Sequence, residues 1–389
     1  MNKKTYYFDY AATTPVDPRV TKAMLPYFSE KFGNPSSIHS KGNEALVVLE
    51  KCRKIVAEAL GVNNEKEIIF TSSATESNNL VLKGIAFANK KRGNEMVISP
   101  IEHACVFNSA KWLEKHGGFK IKLAKVDKFG LIDLKDLETK INSKTILVSV
   151  IHANNEIGTI QDLEKIGEIC RKRGIYFHAD AAQSFGKVAI DVNKMKIDLL
   201  TASSHKMYGP KGVACLYIRK GTKIEPILHG GGQEFDLRSS TINIAGIVGF
   251  AKAVEICTKE IKKESKKITK FRDYIINFIK KNIKGAHLNG HPRKRLPNNI
   301  NFSFEGIEGE ALLMELDRRG IFISTSSACS SAKLEPSRIL LAIGLNHYLA
   351  QGTIRISLGR WTSKKEIDYL LHHLVESIKK LRKLSPFFK

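Results

Sequence analysis

The sequence predicts an α/β protein: a mostly parallel sheet covered by helices, with a smaller α+β region attached. Three observations carry that reading. Short apolar runs alternate with amphipathic helical stretches through the middle of the chain, polar and Gly-rich residues follow those runs directly, and 389 residues exceed the usual size of one domain, so two are expected.

Taken in order, residues 1–14, which include Tyr7-Phe8-Asp9-Tyr10-Ala11-Ala12, are too few to fold alone and must pack on something else. Gly33-Asn34-Pro35-Ser36-Ser37 reads as a turn before a helix over Gly42–Leu60, with an apolar stripe of Leu46, Leu49, Val56 and Leu60 and a stop at Gly61. Seven strand-like runs follow: Glu67–Phe70, Met96–Ser99, Lys120–Ala124, Thr145–Ile151, Ile175–Ala179, Ile197–Leu200 and Val213–Ile218. Helical stretches at Glu76–Asn89, Val106–His116 and Leu163–Arg173 lie between them, the alternation that builds a seven-stranded, mostly parallel sheet. Beyond it, a Gly-rich segment (Leu228–Thr241) leads into a long helix over Gly246–Lys284. Asn299–Phe304, Glu310–Arg319 and Thr353–Leu358 then suggest the smaller region.

Composition narrows the class. No apolar run approaches the roughly 20 residues that span a bilayer, and the start, MNKKTYYFDYAATTP, resembles neither a signal nor a transit peptide. A cytoplasmic location is expected. The six cysteines, at 52, 105, 170, 215, 257 and 329, show no paired or metal-finger spacing, so neither structural zinc nor a disulfide framework is expected. The net charge of +24 and pI near 9.7 come mostly from lysines spread along helices, densest at Lys259–Lys284. No aromatic-interleaved basic pattern accompanies them, so they read as solvated faces and not as a nucleic-acid surface.

In a parallel sheet, ligands bind beyond the carboxyl ends of the strands. Ser73 and Glu76, after the first run, have capping-box spacing and open a helix suited to a phosphate. Other strand ends deliver Glu102 and His103, then His152 to Glu156 with Asn155, then Asp180 with Gln183 one turn on. The sixth run leads into Ser203, Ser204, His205 and Lys206, before the Gly209-Pro210-Lys211-Gly212 turn reverses the chain. A lysine amine, a carboxylate and a hydroxyl-rich cup suit pyridoxal phosphate. The lysine forms its Schiff base, the carboxylate keeps the pyridine nitrogen protonated, and the cup holds its phosphate. Arg355 is a fork for an amino-acid carboxylate, and Cys329 sits in a run of small polar residues that reads as a loop.

The blocks YFDYAATTPVDPRV, FGNPSS, EIIFTSSATESNN, HANNEIG, HADAAQSFGK, SSHKMYGPKG, HGGGQE, SSACSSAKLEPS and IRISLGR, in this order along the chain, resemble those of the cysteine desulfurases. These are IscS/NifS-type (group I) members of the class V aminotransferase-like, fold-type I pyridoxal-phosphate enzymes. The resemblance implies conversion of L-cysteine to L-alanine through a ketimine, with the sulfur captured as a persulfide on Cys329. It implies that Lys206 carries pyridoxal 5'-phosphate, Asp180 pairs with its pyridine nitrogen, and Gln183 and Asn155 lie at the ring hydroxyl. His103 would stack on the ring and act as acid and base. Ala74, Thr75, Ser203 and His205 would hold the phosphate, with Thr241 supplied by the other subunit of a homodimer, and Asn34 and Arg355 would bind the substrate carboxylate. It further implies a large domain over 15–258, a small one from 1–14 and 259–389 carrying the nucleophile loop at about 324–335, and sulfur acceptors that include an iron–sulfur scaffold protein. No stable metal site is implied; Cys329 would ligate a shared cluster only transiently. Ser326 and Ser240 stand where glycine is common in the family, Ala153 where valine is, and the LSPFFK terminus is short. A selenocysteine lyase or another class V enzyme would share the cofactor set, while a basic binding protein on a decayed scaffold would not need Lys206, Asp180, His103 and Cys329 together.

Overall fold

The computed structural model describes residues 5–325 and 336–385. Its main sheet has seven strands, ordered Ile68–Thr71, Ala214–Ile218, Leu199–Ser203, Tyr176–Asp180, Thr145–Ile151, Glu95–Ile98 and Lys120–Leu123. The four pairings from Leu199–Ser203 outward to Lys120–Leu123 are parallel, and the two made by Ala214–Ile218 are antiparallel. That hairpin follows from the turn at Gly209 to Gly212, where a Cβ on Gly209 would lie 2.0 Å from Ser204 Oγ.

Apolar cores cover both faces of this sheet. One packs the Ser40–Leu60 helix and the start of the long helix against Phe70, Phe177 and Leu200; the other packs Leu80 to Ala86 and Val106 to Leu113 against Ile69, Met96 and Leu147. The Ser40–Leu60 helix ends as expected on Gly61, at φ +73°. Its stripe differs in one place: Leu46 is 40% exposed, and Arg53 is buried on the sheet side instead. The first two of the helical runs between the strands each contain a π-helical turn, Leu80–Gly84 and Leu113–Gly117.

The long helix, Ile244–Asn282, passes from the first core to a third. Its residues through Cys257 pack on the large sheet, and Ile268 to Ile279 pack on a four-stranded antiparallel sheet ordered Ser324–Thr325, Thr353–Ser357, Asn299–Phe304 and Ala286–Leu288. The C-terminal helix Lys364–Leu384, opened by a complete capping box at Ser363 and Glu366, covers that sheet with Ile367, Leu370, Leu371 and Leu374.

The N-terminal segment ties the two bodies together. Tyr6–Tyr7 pairs in parallel with Ile321–Phe322, and Ala11 N–H donates to Ser357 Oγ at 2.8 Å. The carbonyl of Ala11 accepts from Gln183 and Lys206 on the large sheet's side. No helix among the described residues is long and apolar enough to cross a membrane.

Candidate active site

Beyond the carboxyl ends of the parallel strands lies a cavity of about 640 Å³ between the two sheets. Its large-sheet wall carries Ala74, Thr75, His103, Asn155, Asp180 and Gln183, then Ser203, His205 and Lys206; Arg355 enters from the small sheet. Ten of the thirteen anticipated residues therefore converge. Asn34 is exposed outside the cavity, its Oδ1 accepting from Ser36 N–H at 3.0 Å, so this chain alone does not bring it to Arg355. Thr241, assigned to a second subunit, is likewise exposed away from the cavity. Cys329 and Ser326 lie outside the described residues.

Lys206 ends a short turn, Ser204–Lys206, that continues the Leu199–Ser203 strand. Its Nζ donates to the carbonyls of Ala11 at 2.7 Å and Ala12 at 2.6 Å. Two residues on, Tyr208 occupies the left-handed region at φ +65°, which costs about 1–2 kcal/mol for a residue with a Cβ. Thr14 Oγ1 accepts its N–H, Glu264 accepts its hydroxyl, and the Arg360 guanidinium lies over its ring. The turn behind the lysine is thus held from three sides.

Asp180 is the last residue of its strand and is buried. Its Oδ2 accepts from Asn78 Nδ2 at 2.8 Å and its Oδ1 from Ala182 N–H at 2.9 Å. Ala74 and Thr75 begin a helical run, so the positive end of its dipole meets the cavity. Only half of the anticipated capping box forms there: Ser73 Oγ accepts from Glu76 N–H. The Glu76 carboxylate goes instead to Ser72 N–H and to Arg238 Nε, at 2.7 Å. It thereby pins the Gly-rich segment to the helix start.

His103 caps the Ala104–Trp112 helix, its Nδ1 accepting from Cys105 N–H at 3.2 Å. Burial pushes its pKa down, Asp180 opposes that shift, and Lys206 and Arg338 reinforce it. His205, bonded to Thr13 Oγ1, is pushed down to about 4, first by burial and then by nearby lysines, and so is neutral at pH 7.

On the opposite wall, Arg355 Nη1 donates to Asn155 O at 2.9 Å and Nη2 to Asp9 Oδ1 at 2.8 Å. Among the described residues its buried Nε has no partner, and neither has Asn155 Oδ1. An orphaned guanidinium N–H and an orphaned amide oxygen in one cavity form a donor and acceptor pair awaiting a ligand.

Several lining residues carried no assigned role in the sequence. Arg338 donates to Pro100 O and Glu102 O and lies 3.8 Å over the Phe107 ring, clamping the strand end that leads to His103. Ser337 Oγ donates to Glu156, whose carboxyl burial pushes up to about 7. Glu102, raised to about 8 mainly by burial, accepts from Ser99 and Ile151 N–H. A buried carboxyl beside the histidine was the sequence signal available for Glu102; no local pattern marked Arg338. Outside the cavity, His372, His373 and Glu376 bring ligating atoms within 4.8 Å of one another. Arg319 Nη1 already lies 3.0 Å from His373 Nδ1 and 3.3 Å from Glu376, making this an ion-pair cluster.

The fold and the cavity define a class that the comparisons identify directly. The family model for class-V aminotransferases matches residues 6–370. The cysteine desulfurase IscS of Dictyoglomus turgidum is 48% identical over 385 residues, covering 99% of this chain and 97% of that one. The cysteine desulfurase IscS of Methanosarcina thermophila is 49% identical over 98% of this chain and 94% of its own. Among solved structures, a NifS-like protein superposes with a TM-score of 0.91 at 41% identity, covering 97% of this chain and all of that one (100%). SspA in complex with cysteine superposes at 0.81 with 38% identity, over 92% of this chain and 100% of its own.

The chain belongs to the class-V aminotransferase family and, within it, to the cysteine desulfurases of the IscS/NifS type. These enzymes depend on pyridoxal phosphate. The donor set of the cavity fits that group: an amine, a carboxylate, a helix N-terminus with hydroxyls, and a guanidinium with an unpartnered N–H.

Proposed function

We propose that this cavity removes sulfur from L-cysteine, leaving L-alanine and a persulfide on Cys329. The observation that carries the reading is the convergence of Lys206, Asp180 and an incompletely bonded Arg355 on one cavity. Bound pyridoxal phosphate supplies an electron sink for the substrate's α-carbon. Lys206 would anchor it, Asp180 would pair with its pyridine nitrogen, Asn155 and Gln183 would bond its ring hydroxyl, and Ala74, Thr75, Ser203 and His205 would hold its phosphate. Arg355 takes the substrate carboxylate through Nε and one Nη, and Asn34 completes that contact. His103 would lie at the ring and move protons through Nε2, because Nδ1 faces the helix amide. The Cys329 thiolate attacks the substrate sulfur, an S–S bond forms as the C–S bond breaks, and protonation at carbon yields alanine.

Two domains, 15–258 and 1–14 with 259–389, would form the two walls. A homodimer, with Thr241 crossing into the partner's site, is supported by large apolar side chains left exposed along one stretch of the chain, Phe28 at 63%, Phe32 at 68% and Ile38 at 102%. The persulfide would pass to an iron–sulfur scaffold protein or other acceptors in the cytoplasm, Cys329 ligating a shared cluster only transiently. The test is purification with a visible spectrum, then assay of alanine and sulfide from L-cysteine, with L-selenocysteine alongside. The parent should form both products and Lys206→Ala neither. Unchanged sulfur release by Cys329→Ala would refute the persulfide step.

A further inference from the structure

Asp180 and His103 stand at different strand ends, yet an unbroken chain of side chains joins them. Asn78, fully buried, donates its Nδ2 to Asp180 Oδ2 at 2.8 Å and to Cys105 Sγ at 3.1 Å. An amide nitrogen has two N–H bonds, and both are used. Asn78 Oδ1 is buried without a partner among the described residues, so this amide is oriented by what its NH₂ group holds. Turning it over would set its oxygen against a carboxylate and a sulfur, both acceptors here.

Cys105 Sγ in turn lies 3.0 Å from His103 Nδ1, which also receives the Cys105 backbone N–H at 3.2 Å. A backbone N–H only donates, so Nδ1 carries the lone pair and the neutral ring keeps its proton on Nε2. A thiol proton directed at Nδ1 would share that lone pair with the backbone N–H. The Thr75 side chain is a further hydrogen-bond partner of the same sulfur. One thiol thus touches the partner of Asp180, the helix start and the histidine.

We propose that Cys105 is a positioning residue for the desulfuration, tying Asp180 through Asn78 to His103 and holding His103 neutral with its proton on Nε2. Burial, then Asp180, pushes the thiol itself up to about 12, so it remains S–H at neutral pH. The charged groups facing His103 are Asp180, which favours its protonation, and Lys206 and Arg338, which oppose it; Glu102, also facing Cys105, is raised to about 8. The proposal rests on this cavity being the reacting site, but its test reads the chain without the cofactor.

The full-length protein, cofactor-free and carrying ¹⁵N-labelled histidine rings, is titrated by NMR, with His103→Gln assigning the resonance. The parent should show the Nε2–H form. Cys105→Ala removes a donor to Nδ1 and should raise the proton affinity of His103 about three- to tenfold, the worth of one hydrogen bond. Cys105→Ser, which keeps an O–H donor, should restore most of the parent value. In the loaded enzyme the acidic limb of kcat should move the same way, with KM for L-cysteine unchanged. A folded Cys105→Ala protein whose His103 titrates as in the parent, or a parent ring protonated on Nδ1, overturns the proposal. Absence of alanine formation alongside the expected titration would overturn the activity reading and leave the Cys105 link standing.

Discussion

Two buried arginines, Arg53 and Arg355, show how the same side chain serves structure in one place and chemistry in another. Arg53 is saturated. Its Nη1 and Nη2 pair with both oxygens of Glu234 at 2.8 and 2.9 Å, Nη1 also reaches Ile68 O, and Nε reaches Glu50. The rings of Phe70 and Phe235 flank it at 5.1 and 5.0 Å. Arg355 lines the cavity, makes two of its bonds and leaves a buried Nε without a partner among the described residues. The first fork is spent on the fold, and the second keeps an N–H unspent beside the cavity.

Arg53 has strain to hold. Glu234, Phe235 and Asp236 all lie in the left-handed region, at φ +51°, +60° and +65°, in the segment that leads to Thr241. Arg53→Met strands the Glu234 charge and should cost about 3–5 kcal/mol in denaturant unfolding. Adding Glu234→Gln, which still accepts Phe70 N–H, should recover most of that loss. A single variant within about 1 kcal/mol of the parent would mean the pair is not structural.

Arg355→Met should do the reverse. kcat/KM for L-cysteine should fall about hundredfold, the worth of a charge-assisted fork on a carboxylate, with unfolding nearly unchanged. An equal loss of stability in the two variants would erase the distinction.

Glu156, which faces Arg355 and Arg338, sharpens the comparison through pH. Its folded pKa, about 7, lies above the ordinary 4.5, so the folded state binds the extra proton between those values. Stability from this group is therefore full below pH 4.5, is lost as pH rises toward 7, and stays lost above. Glu156→Gln should gain stability over the parent across that window; a constant difference between the two would contradict it. The smallest effect is expected at Asp9→Asn, which removes a competing charge from Arg355 and should lower KM for L-cysteine about threefold. A rise in KM would mean that Asp9 positions the fork.

Much of the site was legible because strand ends in a parallel sheet share one edge. Asp180, Asn155, His103 and Lys206 each follow an apolar run, so their convergence needed only the sheet. What the sequence hid depends on contacts between distant segments. Arg338 reaches Pro100 and Glu102 across more than two hundred residues, and the carbonyls of Ala11 and Ala12 meet Lys206 from the other end of the chain. The helix stripe misled at Leu46 because Glu234, far along the chain, draws Arg53 into that face. Glu76 departed from its capping box for a similar reason, since Arg238 competes for its carboxylate. Cys105, one of six scattered cysteines, acquired meaning only beside Asn78 and His103.

The central claim is that sulfur leaves the cavity on Cys329 while Lys206 and Arg355 hold the reaction in place. The most direct measurement is peptide mass analysis after one equivalent of L-cysteine, without reductant or acceptor. One added sulfur atom is expected on the peptide containing Cys329, matched by one alanine, with no added sulfur on that peptide in Cys329→Ala or Lys206→Ala. Alanine formed with the sulfur on another cysteine, or on none, would contradict it.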